Sequence, residues 1–199
     1  MTAKQIYLIR HAQTIFNAEQ ILQGQQYDSE LSNLGIIQAD TFYSNFKNIP
    51  LDKIYVSGLK RSFLSVKKFI ESNIPYEIIN ELNEINWGIM EGNKLIDETK
   101  EKYFQTITAW KNGDYSAKIE NGESLIDVLE RLNKALSVIM ENEDEKNILV
   151  VTHSRALKII LCILLKLNIR EMDTFQHKNM ALYHLLYMDS KFTIKKAKS

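Results

Sequence analysis

The chain has 199 residues, with 25 lysines and arginines balanced by 25 aspartates and glutamates. That length suffices for one domain with a sizeable core, and zero net charge argues against binding nucleic acid or an anionic membrane through bulk charge. Cys162 is the one cysteine, which rules out an intramolecular disulfide and reads as a buried thiol in a reducing compartment. The N-terminus shows no charged-then-apolar leader, and the longest apolar run falls short of the ~18 residues that span a bilayer. A soluble, cytoplasmic protein is the expectation.

In chain order, residues 5–10 form a short apolar run that ends abruptly in Arg10 and His11. A run of that length reads as a buried strand, and open α/β sheets place ligand sites at the carboxyl ends of their strands. Residues 17–31 are irregular. A helix is predicted over 32–47, capped by Ser32 but weakened in its first turn by Gly35. Residues 52–57 read as a second strand, and Gly58-Leu59-Lys60-Arg61-Ser62 opens a helix over 59–72. A strand at 76–79 follows. Residues 80–121 again lack a regular pattern; weak periodicity predicts a broken helix over 96–111.

Ser124 and Asp127 match a capping box at the head of a helix over 124–141. Residues 147–152 form another buried strand, with His153-Ser154 opening a helix over 155–167. Strands at 181–188 and 191–195 end the chain, the last in a lysine-rich stretch read as solvated. No repeat or linker interrupts this order. It predicts one domain over 1–199, an α/β three-layer sandwich with a mostly parallel central sheet and helices on both faces. Long irregular stretches in such a domain are usually binding loops, so 93–122 is expected to be lid-like.

Three strand ends thus offer Arg10 with His11, Arg61, and His153. If those strands are neighbours, the groups converge, and such a cluster repels itself unless an anion joins it. Phosphate fits, with guanidinium as clamp and imidazole as nucleophile or proton carrier. No Cys/His cluster has metal-ligand spacing, so metal-free chemistry is expected.

These motifs resemble, in order and in spacing, those of the histidine phosphatase superfamily, which includes the phosphoglycerate mutases and many small phosphomonoesterases. The resemblance rests on Arg10-His11-Ala12-Gln13-Thr14 with Asn17; on Gln23-Gly24, Asp28 and Leu31-Ser32-Asn33-Leu34-Gly35; on Ser57, Leu59, Arg61 and Ser62; on Leu82-Asn83-Glu84-Ile85-Asn86-Trp87-Gly88 with Glu91-Gly92; on Asn121-Gly122-Glu123-Ser124; and on Val150-Val151-Thr152-His153-Ser154. It implies a phosphoglycerate mutase-like fold. It implies that His11 attacks phosphorus and carries a phosphohistidine. Arg10, Arg61 and His153 hold the non-bridging oxygens, and Glu84 is the proton donor. Asn17, Gln23, Gly24 and Ser154 surround the phosphate, and no cofactor is needed.

Two positions depart from the family pattern: Ala12 stands for a glycine, and Ser154-Arg155 for a Gly-Gly pair. Glu91 reads as loop support, Arg131 as a structural partner, and His177 and His184 as structural, with His177 the better candidate of the two for the pocket rim. The region 93–122 lacks the arginine pair and proline triplet of the mutases and offers Tyr103, Phe104, Trp110 and Tyr115. The small phosphomonoesterases are therefore the better match. The expected activity is metal-independent hydrolysis of a small phosphorylated metabolite. A mutase and an inactive phospho-ligand-binding module are the alternatives, and a homodimer is compatible with any of these.

Overall fold

The structure is a computed structural model that describes residues 3–198, apart from the side chains of Asp97, Glu98 and Lys198. Met1, Thr2 and Ser199 of the expected domain lie outside the described residues. Six strands make one sheet: β1 Lys4–Arg10, β2 Lys53–Val56, β3 Tyr76–Ile78, β4 Asn147–Thr152, β5 Leu182–Met188 and β6 Lys191–Lys198. Their spatial order is β3-β2-β4-β1-β5-β6. The first four in that order are mutually parallel, while β5 and β6 are antiparallel to their neighbours. The helices are α1 Ile15–Ala18, α2 Asn33–Phe46, α3 Lys60–Glu71, α4 Asp97–Asn112, α5 Leu125–Glu141 and α6 Ser154–Leu165. None of the helices among the described residues is long and apolar enough to cross a membrane.

The period of a strand sends successive side chains to opposite faces, and β1 shows the result. Ile6 and Leu8 join a core with Trp110 of α4, Leu132 and Ile139 of α5, and Leu157 and Ile160 of α6. Ile9 joins a second core with Phe42 of α2 and Val66 and Phe69 of α3. Helices thus cover both faces of a sheet that is parallel where it is most buried, the arrangement its apolar strands require. Cys162 is buried in the first core, where desolvation pushes its thiol up to about 11.

Register decides where the polar strand ends emerge. Arg10 lies opposite Thr152, and Val56 lies opposite Val151. The next residues, His11, His153 and Ser57, therefore leave the sheet at one edge.

One expectation is corrected. The helix expected to be broken at 96–111 is continuous as α4, because it contains neither proline nor glycine and keeps Tyr103, Thr106, Ile107 and Trp110 on one side. Thr106, Ile107 and Trp110 are buried, and Tyr103 packs against the same core. The helix stops at Gly113, whose φ of 101° is left-handed.

Gly35, a weak helix former, has a steric reason to stand in the first turn of α2. A Cβ there would sit 1.9 Å from the carbonyl oxygen of Gln13. Gly→Ala inside a helix ordinarily stabilises by about 1 kcal/mol. Gly35→Ala is predicted to do the reverse, costing about 2 kcal/mol or more through overpacking against backbone. Denaturant titration of the two proteins checks this; equal or greater stability of the variant would contradict the close approach.

Candidate active site

His11 follows β1 and is 3% exposed. Its amide donates to the Thr152 carbonyl at 3.0 Å, which locks it to β4. Its Nδ1 lies 2.7 Å from the Ala12 carbonyl oxygen. A carbonyl only accepts, so Nδ1 carries the proton and the neutral ring presents its lone pair on Nε2. Burial, reinforced by the charges of Arg61 and Arg10, holds the imidazole well below its usual pKa. His11 is therefore neutral near pH 7, the form a nucleophile needs. Ala12 has a negative φ, so its methyl brings no backbone strain. The Ala12 amide donates to Ser65 Oγ at 2.7 Å, and that hydroxyl donates to the Arg61 carbonyl at 2.6 Å.

Arg61, in the first turn of α3, is 1% exposed. Its Nη1 donates to Asp28 Oδ1 at 2.9 Å and to the Tyr27 carbonyl at 3.2 Å, and its Nη2 donates to the Gly24 carbonyl at 2.7 Å. Its Nε donates to His153 Nδ1 at 3.2 Å. That bond fixes the other imidazole: with Nδ1 accepting, Nε2 holds the proton and donates to Ser57 Oγ at 2.7 Å. The Ser57 hydroxyl passes its own proton to Ser62 Oγ at 2.8 Å. His153 is fully buried, its ring 5.0 Å from that of His11. Burial, then Arg61 and His11, keep its pKa well below the usual value.

Arg10 differs from Arg61. Its buried Nε has no hydrogen-bond partner, and the guanidinium forms no ion pair among the described residues. A half-buried guanidinium with its Nε left unsatisfied is costly and marks a place for an anion. Glu84 is the nearby carboxylate, 6% exposed. Its Oε1 accepts from the Ile85 and Ala156 amides at 3.0 and 3.2 Å, and its Oε2 accepts from the Arg155 amide at 3.1 Å. The N-terminus of α6 thus seats this side chain.

A cavity of about 480 Å³ joins these groups. Arg10, His11, Asn17, Gln23, Glu84 and Ser154 line one part of it; Leu22, Trp87, Leu95, Tyr103, Phe104 and Arg155 line another. Asn17 Oδ1 accepts from the Thr14 amide and from Asn179 Nδ2, both at 3.2 Å, which leaves its amide group as a donor. Ser154 Oγ lies 3.4 Å from His177 Nε2. Arg61 and His153 stand against His11 but are not among the lining residues. Gly24 is not among them either: its amide donates to Glu91 and its carbonyl accepts from Arg61. Its position is that of a brace between those two side chains, where a Cβ would meet Glu91 Oε1 at 2.3 Å. Gln23 touches the cavity, yet its amide is spent on Thr14 and Ser29. Among the described residues no group of three His, Cys, Asp or Glu side chains is placed to hold a metal ion.

Supporting contacts come from residues read as structural and from some not singled out. Glu91 accepts from the amides of Gly24, Gln25, Gln26, Tyr27 and Trp87. Arg131 donates to Glu123 and to the carbonyls of Glu81, Asn83 and Glu84, holding the Glu84 segment from α5. His177 borders the site, whereas His184 stacks on Tyr7 away from it. Sequence reasoning missed Ser65, Asn179 and Asp173. Ser65 carried a signal, a serine on the buried side of α3. Asn179, which donates to the His11 carbonyl at 3.1 Å, carried none.

A family model for the histidine phosphatase superfamily (branch 1) matches residues 6–199. Phosphoserine phosphatase 1 of Hydrogenobacter thermophilus is 29% identical over 188 residues, 94% of this chain and 87% of that protein. A protein of Yersinia pestis described as a probable phosphoglycerate mutase is 30% identical, covering 94% of this chain and 86% of its own length. The crystal structure of the alpha-ribazole phosphatase from Shigella flexneri superposes with a TM-score of 0.85 at 25% identity, over 98% of this chain and 96% of that one.

Two predictions follow from this geometry. Glu91→Gln replaces an acceptor oxygen with a donor facing amides, and each amide left unsatisfied costs about 1–3 kcal/mol. The variant is expected to lose at least about 2 kcal/mol of unfolding free energy together with turnover, since the loop it holds carries the partners of Arg61. Second, His11 and His153 have folded pKa values well below 6.5, and His177 is lowered by burial to about 4. In the unfolded chain all three bind protons near pH 6.5, so unfolding takes up protons below that value. Their stabilising contribution is complete above about pH 6.5 and declines as pH falls from there to about 4 and below. Unfolding free energy measured across this window checks it; a flat profile would show that these rings are not buried neutral.

Proposed function

The chain belongs to the histidine phosphatase superfamily, and from that premise we propose that it is a metal-independent phosphomonoester hydrolase working through a phosphohistidine on His11. One observation carries the reading. A neutral imidazole with Nδ1 tied to Ala12 sits beside Arg10, a half-buried guanidinium whose buried Nε has no partner, on a cavity that Glu84 also lines.

The substrate phosphoryl group, a dianion near neutral pH, supplies the charge that Arg10 lacks. Asn17 Nδ2 adds a donor to the non-bridging oxygens, and Arg61, standing behind the cavity wall, contributes its charge. His153, its ring nitrogens engaged by Arg61 and Ser57, contributes by orienting Arg61 and by packing against His11. Nε2 of His11 attacks phosphorus. A P–N bond forms, the P–O bond to the alcohol breaks, and Glu84 gives its proton to the departing oxygen. Water then attacks the phosphohistidine while Glu84 takes its proton, releasing phosphate and restoring His11. Oε2 of Glu84, which accepts one backbone bond, keeps a lone pair for this traffic. As transition-state charge grows, the preset cations stabilise it without rearrangement. Relatives whose names include phosphoserine phosphatase and alpha-ribazole phosphatase support hydrolysis as the reaction.

The experiment is hydrolysis of para-nitrophenyl phosphate and an alkyl phosphate in the presence of EDTA. His11→Ala is expected to lower kcat by about 1,000-fold or more. Glu84→Gln is expected to cost about 100-fold or more on the alkyl phosphate and less on para-nitrophenyl phosphate, whose phenolate leaves without a proton. Rapid quenching with labelled substrate is expected to trap an acid-labile adduct on His11. Label on another residue would overturn the reading. So would isomer interconversion exceeding phosphate release with 3-phosphoglycerate and bisphosphoglycerate.

A further inference from the structure

Arg155 takes no part in the steps above, yet it lines the same cavity. It occupies the second position of α6, and its amide holds Glu84. Its side chain is 12% exposed, held by two bonds: Nε donates to Tyr103 Oη at 3.1 Å, and Nη1 donates to Asp173 Oδ1 at 2.5 Å. The guanidinium carbon also lies 5.8 Å from the Tyr103 ring centroid. Burial opposes its charge, but Tyr103 and Asp173 outweigh that and raise its pKa.

Charge at this place does not balance. The Asp173 oxygen that Arg155 uses also accepts from Lys158 Nζ at 2.8 Å. Two cations share one carboxylate, so the group carries a net positive charge. Nη2 and the second N–H of Nη1 have no partner among the described residues. Two such N–H groups at the end of a planar fork match the two oxygens of a carboxylate. Arg155 is thus a fixed, incompletely neutralised cation on a cavity that Arg10 and the exposed Lys100 also line.

We propose that Arg155 binds a carboxylate on the leaving group, so that the preferred substrates are small phosphomonoesters of hydroxy acids rather than of neutral alcohols. The proposal rests on the hydrolase reading and adds the substrate class to it. Tyr103 and Asp173 act as positioning residues that hold the fork toward the cavity.

The test compares 3-phosphoglycerate with glycerol 3-phosphate, which share a three-carbon skeleton and differ by carboxylate against hydroxymethyl. The wild-type ratio of kcat/KM is expected to favour 3-phosphoglycerate by about 10- to 100-fold, the range of a charge-assisted hydrogen-bonded pair. Arg155→Met is expected to bring that ratio near one, chiefly through KM of the carboxylate substrate, and Arg155→Lys to retain part of it. The ratio cancels any common loss from disturbing α6. A wild-type ratio near one, with para-nitrophenyl phosphate still hydrolysed, would overturn the carboxylate site and leave the hydrolase reading intact. So would a ratio that survives in Arg155→Met. Absence of all turnover would instead sink the hydrolase reading. Calorimetric titration of wild-type and Arg155→Met protein with the two compounds then decides the site by itself: selective binding of 3-phosphoglycerate that the variant loses supports it, and equal binding overturns it.

Discussion

An arginine whose buried Nε has no hydrogen-bond partner and which forms no ion pair among the described residues is the constraint on which this structure turns. Arg10 sits beside two imidazoles and a second arginine; desolvation works against its charge, Glu84 supports it, and Arg61 opposes it again. Several devices make the arrangement tolerable. Both imidazoles stay neutral, each fixed in one tautomer by a bond that leaves no choice: a carbonyl on His11, a guanidinium on His153. Arg61 receives Asp28 as a counter-ion and two carbonyls as acceptors. Only Arg10 is left wanting, and it faces the cavity. The site is strained electrostatically toward accepting an anion, and no single residue creates that property.

The sheet and the loops divide the task of building it. Parallel strands β1, β2 and β4 end level, which fixes the backbone of His11, Ser57 and His153 through ladder hydrogen bonds. The irregular segments do the rest by polar means. Glu91 gathers the amides of the loop after Leu22; that loop supplies the Gly24 and Tyr27 carbonyls and the Asp28 carboxylate that clamp Arg61. Arg131 and the α6 N-terminus hold the Glu84 segment from two sides. An acidic residue on one loop thereby controls the position of a cation on a helix, and disturbing either reaches His11 through Arg61 and Ser65.

Legibility in the sequence followed the physics of each element. The buried strands were readable because unbroken apolar runs such as Ile148–Val151 have few alternatives, and their polar ends located the site. Capping chemistry located α5 because Ser124 and Asp127 satisfy each other locally. The opposite held where a residue answers to a distant partner. Gly35 looked like a flaw in α2 until the Gln13 carbonyl was found against it. The continuity of α4 was obscured because polar Thr106 shares its buried side with Ile107 and Trp110. Gly24 lay beside the right residues in sequence but spends its backbone on Glu91 and Arg61. Which groups touch the cavity and which stand behind them is a matter of tertiary hydrogen bonds, and local pattern carries little of it.

The two ends of the cavity also differ in how freely they can change. Around His11, Arg61 has several obligations: replacing it would strand Asp28, His153 and two carbonyls together, and a stranded buried charge costs more than the pair contributed. The Tyr103–Arg155 end is a surface of side chains from α4 and α6 whose backbone bonds do not depend on their identity. The amide of Arg155 holds Glu84 whatever side chain follows it. A change there alters what the cavity accepts without disturbing how Glu84 is held. On the proposed hydrolase reading, that separation of backbone duty from side-chain duty lets one reaction site accept different leaving groups, with selectivity carried by α4 and α6 rather than by the ends of the strands.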